Sequence, residues 1–254
     1  MNPIKKISKS PVSASDIYRA DFSRLEKQFE GKFPDWLIHH RHAGMERFLE
    51  LGFPTPSQEE WKYTQVSPIT RIPFQFPRSP ATGLKSEQVD RVTFANLKCP
   101  RMVFVNGYYC PRLSHLEDLP NGVRVGSLAE FLKRKPNLLE HDLARCADYR
   151  DHAFVALNTA FIQDGAFLHI PKGQVIETPI HLLYLVKASQ EPLAIHPRNL
   201  IVADANSQAA ILESYVGLDD GTYFTNLVTE IIAGENAVVD HYKLHQESKK
   251  AYHI

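Results

Sequence analysis

The chain is poor in the residues that mark several common functional classes. Its 254 residues include three cysteines, Cys99, Cys110 and Cys146, odd in number and widely spaced, with no C-x-x-C pair. Neither a zinc knuckle nor a redox pair is therefore suggested. Charge of one sign is also lacking: lysine plus arginine and aspartate plus glutamate number 29 each, for a formal net charge of zero. That balance gives no electrostatic reason to expect nucleic acid or an anionic membrane as the main partner. The longest apolar run near the centre, residues 180–186, contains a histidine and is far too short to span a bilayer. The N-terminal stretch MNPIKKISKSPVSASD has a basic start with no apolar core behind it, which is not a secretory signal. No G-x-x-x-x-G-K-[ST], G-x-G-x-x-G or G-x-S-x-G occurs, so no nucleotide cradle and no triad hydrolase can be argued. These absences point to a scaffold in a reducing cytoplasm.

What is present divides into three regions. The first, residues 1–85, is helical and ends in a proline-rich connector. Tyr18, Phe22, Leu25 and Phe29 are spaced four, three and four apart, which places them on one helix face. Ser13 or Ser15 is suited to cap that helix and Gly31 to close it. Pro34 suits the first turn of a second helix, which would carry Leu37, Ile38, Met45, Phe48 and Leu49 toward a common core. Gly52 follows as its terminator, with Phe53 placed for the accompanying apolar contact and Pro54 blocking further helix. Next comes S-Q-E-E-W, with the spacing of a capping box, Ser57 accepting from the backbone of Glu60 and Glu60 reaching back. Such a cap is worth about 1 kcal/mol, which explains the adjacent Glu59 and Glu60 without catalysis. Trp61 beside it is expected to be largely buried. Pro68, Pro73, Pro77 and Pro80 then predict an extended connector without regular helix.

The second region, 86–152, is a small α/β segment. Asn106-Gly107 between apolar residues 102–105 and Tyr108-Tyr109 predicts a hairpin with a type I′ turn. A short strand is expected over 123–125. Ser127 and Glu130 suggest a second capping box opening a helix through Leu128, Phe131 and Leu132, with 138–146 able to continue as helix.

The third region, 153–254, changes character. AFLHIP, PIHLLYLV, NLIVAD, AAILESYVG, TNLVTEIIAG and NAVVDHYKL are short runs rich in β-branched and aromatic residues, separated by turn formers. No helix-length amphipathic pattern is evident between them. Residues 200–204 resemble residues 229–234 about thirty positions on, each followed by a turn containing asparagine, and IPKGQVIETPIHLLYLV is a degenerate copy one step earlier. Repeated strands at that period predict a β-helix solenoid, with a sandwich as the competitor.

Candidate chemistry is sparse. The run HHRH places His39 and His42 three apart on a helix, but with no carboxylate or cysteine at a neighbouring compatible position an exposed polar face is expected. His241 and His245 share a strand face, yet four residues separate them by roughly 13 Å, too far to hold one ion together. With Lys243 they predict a solvated or partner-facing row. Cys110 beside Pro111 has no identifiable histidine partner and is expected to be a passive thiol. No catalytic, cofactor-binding or metal-ligating residue is assigned.

Taken together and in this order, GFPTPSQEEWKYT after two helices, RMVFVNGYY, LNTAFIQDGAFLHIPKG and VVDHYKLHQESKKAYHI resemble the SufB/SufD family of iron–sulfur cluster assembly scaffolds, and EEWKYT with VFVNG resembles its SufD branch in particular. The resemblance runs from about residue 20 to Ile254. It implies a mainly β protein, a right-handed parallel β-helix preceded by a helical N-terminal domain. It also implies a subunit without enzymatic activity that pairs with a SufB-type paralogue and a SufC-type ATPase, the cluster being assembled transiently by the complex and no cofactor being bound by this chain alone. Family members continue into further rungs and C-terminal helices, so the resemblance implies a C-terminally truncated chain whose cluster-forming interface residues would lie past Ile254. Two other classes fit a β-solenoid less well. A carbohydrate-active enzyme would need acidic and basic clusters on successive turns and usually a secretion signal, and a hexapeptide-repeat acyltransferase would need a shorter period.

Overall fold

A computed structural model describes residues 14–79, 83–94, 97–117, 119–188 and 191–254. The predicted cap Ser13 and the connector residue Pro80 lie outside them. The first helix, α1 (Ala14–Phe29), buries the expected stripe, with Tyr18, Phe22 and Leu25 buried and Phe29 partly so. Ser15 lies inside this helix and does not precede it. α2 (Asp35–Leu51) starts one residue later than Pro34, which takes the flanking extended position and accepts from Leu37 and Ile38. Gly52 ends it at φ 64° with its N–H on the Phe48 carbonyl at 2.8 Å, and Phe53 packs edge-on against Phe48. The apolar residues of α2 divide between two cores. Met45 and Phe48 join α1, while Leu37 faces Leu128, Leu132 and Phe167.

The Ser57–Glu60 capping box does not form. Gln58 instead accepts from the Thr55 N–H at 2.9 Å and donates its own N–H to the Thr55 carbonyl, and the Ser57 and Thr55 hydroxyls pair. Only the back-reaching half of a box forms there: Gln58 reaches the Thr55 N–H, but the Thr55 hydroxyl pairs with Ser57 and does not accept from the Gln58 N–H. Only a single 3₁₀ turn, Glu59–Trp61, follows, and Trp61 is half-buried against Phe154. The connector is not free of helix either: Pro68 sits in the first turn of α3 (Ser67–Arg71), where a missing N–H costs nothing. A further short helix, α4 (Ser86–Asp90), follows.

The hairpin is as expected. β1 (Arg101–Val105) pairs antiparallel with β2 (Tyr108–Tyr109), and Asn106 and Gly107 take φ 50° and 81°. β3 (Arg124–Ser127) begins one residue later than predicted. Ser127 caps α5 (Leu128–Arg134) by accepting from the Glu130 N–H at 3.2 Å. Residues 138–146 do not continue as α-helix; a 3₁₀ turn, Pro136–Leu138, and tight turns bury Leu139 and Leu143. A helix that the sequence pattern does not suggest, α6 (Ala153–Ala160), opens the third region and packs against α2. Its buried Asn158 explains the placement, since the side-chain amide donates to the carbonyls of Pro197 and Asn226, both at 2.8 Å.

After α6 the described residues form nine strands: β4 (Ala166–Ile170), β5 (Ile180–Val186), β6 (Leu193–Ile195), β7 (Arg198–Ala203), β8 (Gln208–Gly217), β9 (Tyr223–Thr225), β10 (Val228–Ala233), β11 (Val238–Gln246) and β12 (Ala251–His253). The chain visits three sheets in the same cyclic order. β4, β7 and β10 fall in one, β5, β8 and β11 in a second, and β6, β9 and β12 in a third. All these strands pair parallel at steps of about thirty residues, as the sequence period predicts: Leu200 on Phe167, Ile211 on Ile180, Tyr223 on Leu193, Val228 on Arg198 and Ala251 on Tyr223. β1 joins β5 in parallel, and β3 joins β4 antiparallel. The molecule is thus a mixed assembly of α-helices and mainly parallel sheets. Asn206 and Asn236 hold φ 59° and 56° in equivalent turns, and the Asn236 amide donates to the Asn206 side chain at 3.2 Å. Asparagine tolerates this conformation better than other non-glycine residues.

Candidate functional site

In-register pairing stacks like positions into columns. Phe104, Tyr184, Tyr215 and His245 occupy one column across β1, β5, β8 and β11. Their rings form a continuous stack with centroid spacings of 4.7, 5.1 and 5.3 Å. Beside it runs a buried polar chain. The Tyr184 hydroxyl donates to Asn199, whose amide donates to Glu213 at 3.1 Å, and the Tyr215 hydroxyl donates to the other Glu213 oxygen. Thr229 also donates to Glu213, His241 Nε2 lies 2.9 Å from it, and Lys243 Nζ lies 3.9 Å away. Burial alone would raise the Glu213 carboxyl, but hydrogen bonds from His241 and Tyr215 and the nearby Lys243 charge outweigh it and hold the group below its ordinary range. The phenols of Tyr184 and Tyr215 move the opposite way, raised by burial and by the Glu213 charge.

At the outer end of the stack three side chains converge. His245 Nδ1 and His253 Nδ1 lie 3.0 and 2.9 Å from the same Glu247 oxygen, and the three ligand atoms all fall within 4.8 Å of one another. Tyr215 positions both imidazoles, His245 stacked on its face and His253 against it edge-on at 4.6 Å. The Glu247 side chain is 9% exposed, and its second oxygen, Oε1, is buried and receives no hydrogen bond from either histidine. Desolvation pushes the Glu247 carboxyl up, yet the two histidine hydrogen bonds prevail and lower it.

A second buried knot fastens the helical region to the strands. Arg198 and Glu230, both with fully buried side chains, form an ion pair at 2.8 Å. Glu230 also accepts from four successive backbone N–H groups, those of Ala144, Arg145, Cys146 and Ala147. The buried Asp164 carboxylate accepts from the Tyr109, Ala129 and Gly165 N–H groups and the Ser127 hydroxyl, joining hairpin, helix and strand.

The residues weighed in the sequence are scattered. His241 and His245 belong to separate sites, the first facing Glu213 and the second Glu247, consistent with their spacing along β11. Lys243 reaches Glu213, so the expected solvated row partly turns to a buried acid. The HHRH run is not a uniformly exposed face: Arg41 is buried, donates to the Ala160 carbonyl at 3.0 Å and lies over the rings of Phe22, Phe29 and Phe33. Burial lowers that guanidinium to about 10. His42 does meet a carboxylate, Glu26 at 2.6 Å, supplied by α1 and not by its own helix. Cys110 packs beside the cluster around Val103 and Leu183, and all three thiols are free. Glu247 and His253 were not anticipated. The only signal for them is the turn between β11 and β12, which returns His253 beside His245.

Comparison with known proteins identifies the family. The model of the SufBD protein N-terminal region matches residues 12–182, and that of the SUF system FeS cluster assembly SufBD core domain matches residues 184–254. An iron–sulfur cluster assembly SufBD family protein of Synechocystis sp. is 32% identical over 231 residues, covering 86% of this chain and 49% of the relative. The iron–sulfur cluster assembly protein SufD of Escherichia coli is 26% identical over 212 residues, covering 83% and 46%. SufD of Bacillus subtilis is 26% identical over 235 residues, covering 90% and 51%. The chain spans about half the length of the curated relatives it matches. With both family models matching in order along it, the chain belongs to the SufBD family of iron–sulfur cluster assembly proteins and is SufD-like.

Proposed function

We propose that this chain is a non-catalytic scaffold subunit of a SufBCD-type complex, pairing with a SufB-type paralogue and a SufC-type ATPase to build iron–sulfur clusters. The cluster is the cargo of the complex, and ATP hydrolysis belongs to the ATPase partner, in keeping with the lack of a phosphate-binding motif in this sequence. The shape that belongs to this proposal is a right-handed parallel β-helix, three strands to a rung, preceded by the helical region. One observation carries most of the reading: the cyclic strand order with parallel register every thirty residues or so, in a chain matched by both SufBD family models. A stack of in-register rungs is stiff and presents long continuous faces, which suits a subunit whose task is to hold partners in fixed relation. A cytoplasmic location belongs to the same proposal; among the described residues no helix is long and apolar enough to cross a membrane. The test is co-expression of the tagged chain with a SufB-type paralogue and a SufC-type ATPase, followed by affinity capture and native mass measurement. Co-elution with the paralogue is expected. Recovery of the chain free of both, with the paralogue and ATPase still bound to each other, would refute the reading.

A further inference from the structure

We propose that His245, Glu247 and His253 form a binding site for a single divalent transition-metal ion, of the class of Fe²⁺ or Zn²⁺. The spacing fits: with metal–ligand bonds of about 2.0–2.2 Å, neighbouring ligand atoms around an octahedral ion lie about 3.0 Å apart, and the two Nδ1 atoms stand 3.0 and 2.9 Å from the Glu247 oxygen. The donor set is two imidazoles and a carboxylate, the combination that suits iron, zinc or nickel and disfavours magnesium and calcium, which prefer oxygen alone. No thiolate is among the donors, so the site suits one ion and not a cluster.

Independent of spacing, Glu247 has a buried oxygen to which neither histidine donates, a cost that hydrogen bonding between the three residues does not relieve. An ion bound through both carboxylate oxygens removes it. The site is also preorganised. Tyr215 holds both rings, and its own hydroxyl is tied to the buried Glu213, so the imidazoles are oriented by a shell that leads back into the core. His245 remains 43% exposed on its side chain, which leaves one side open for entry of the ion and for further ligands. The proposal stands apart from the scaffold reading, because metal binding and partner capture are measured separately.

The test uses the purified chain stripped with a chelator and titrated with Co²⁺ as a spectroscopic probe, then with Zn²⁺ in competition. One equivalent is expected to bind with ligand-field absorption that Zn²⁺ abolishes. Glu247→Gln and His253→Ala should each weaken binding at least tenfold, whereas His169→Ala, whose imidazole faces Asp204 outside this shell, should leave it unchanged. Circular dichroism without metal checks that the variants fold. Should either variant misfold, the anomalous-difference map of wild-type crystals grown with Zn²⁺ decides, with a peak expected between the three side chains. No saturable binding, equal affinity in the folded variants, or a peak elsewhere would overturn the assignment.

Discussion

At the scale of single residues, two positions are held by forces that can be read directly. Gly165 has φ 156°, and a Cβ there would lie 1.9 Å from the Arg198 carbonyl oxygen. No side-chain motion can relieve a clash with backbone, so Gly165→Ala should cost at least about 3 kcal/mol in a denaturant titration. His196 is a buried imidazole stacked on Phe161, with neither ring nitrogen hydrogen-bonded among the described residues. Desolvation by burial lowers it to about 3, so it folds neutral. The unfolded chain, with an ordinary imidazole near pH 6.5, binds more protons over the interval between these values. The stabilisation is therefore full above pH 6.5 and is lost progressively as pH falls toward 3. From pH 7 to pH 5 the loss should be about 2 kcal/mol from this group. His181, lowered to about 4 chiefly by burial and then by the Arg101 charge, adds a second loss of the same sign. His196→Leu should flatten the stability–pH curve over that range; an unchanged slope would show that the ring is solvated in solution. The half-burial of Trp61 against Phe154 calls for a modest effect, with Trp61→Ala costing about 2 kcal/mol instead of the 3–5 typical of full burial.

At the scale of elements, the knot around Glu230 ties the turns before α6 to β10 and β7. Glu230→Gln would turn an amide N–H₂ toward backbone donors and leave the buried Arg198 without its counter-charge. The expected cost is about 3–5 kcal/mol, with faster hydrogen exchange at the Ala144 and Cys146 amides. Unchanged exchange there would show that the turns hold their shape without the carboxylate. The elements that could be read from the sequence were those with a local cause. Asn106-Gly107 dictates its own turn, Gly52 its own helix end, and the thirty-residue spacing of apolar runs reappears as strand register. What could not be read depends on distant partners. The S-x-x-E box lost to a competing turn in which Gln58 reaches back to the Thr55 N–H and the Ser57 hydroxyl pairs with Thr55, a choice that sequence spacing alone leaves undecided. α6 carries no amphipathic signature because it is buried nearly all round, its polar Asn158 and Thr159 included. Arg41 was expected in solvent because a cation–π cage of two phenylalanines from α1 and a third from the turn before α2 leaves no mark in a linear pattern. Likewise, the meeting of His245, Glu247 and His253 needs the turn after β11 to bring His253 of β12 against His245.

At the scale of the whole molecule, the same columns that stabilise the strands carry the features of interest. The aromatic stack from Phe104 to His245 and the polar chain from Tyr184 to Glu213 run across successive strands, perpendicular to the chain direction, so a change on one strand is felt on its neighbours. On the proposed scaffold reading the chain serves by shape and surface, and its contribution should appear only in the presence of its partners. The direct measurement is anaerobic cluster assembly in vitro, with ferrous iron and a sulfide source, followed by visible charge-transfer absorption. A SufB-type paralogue and a SufC-type ATPase would be compared with and without this chain. The account predicts that cluster yield rises when the chain is added, while the chain by itself neither hydrolyses ATP nor accumulates clusters. Equal yield with and without it would contradict the scaffold role.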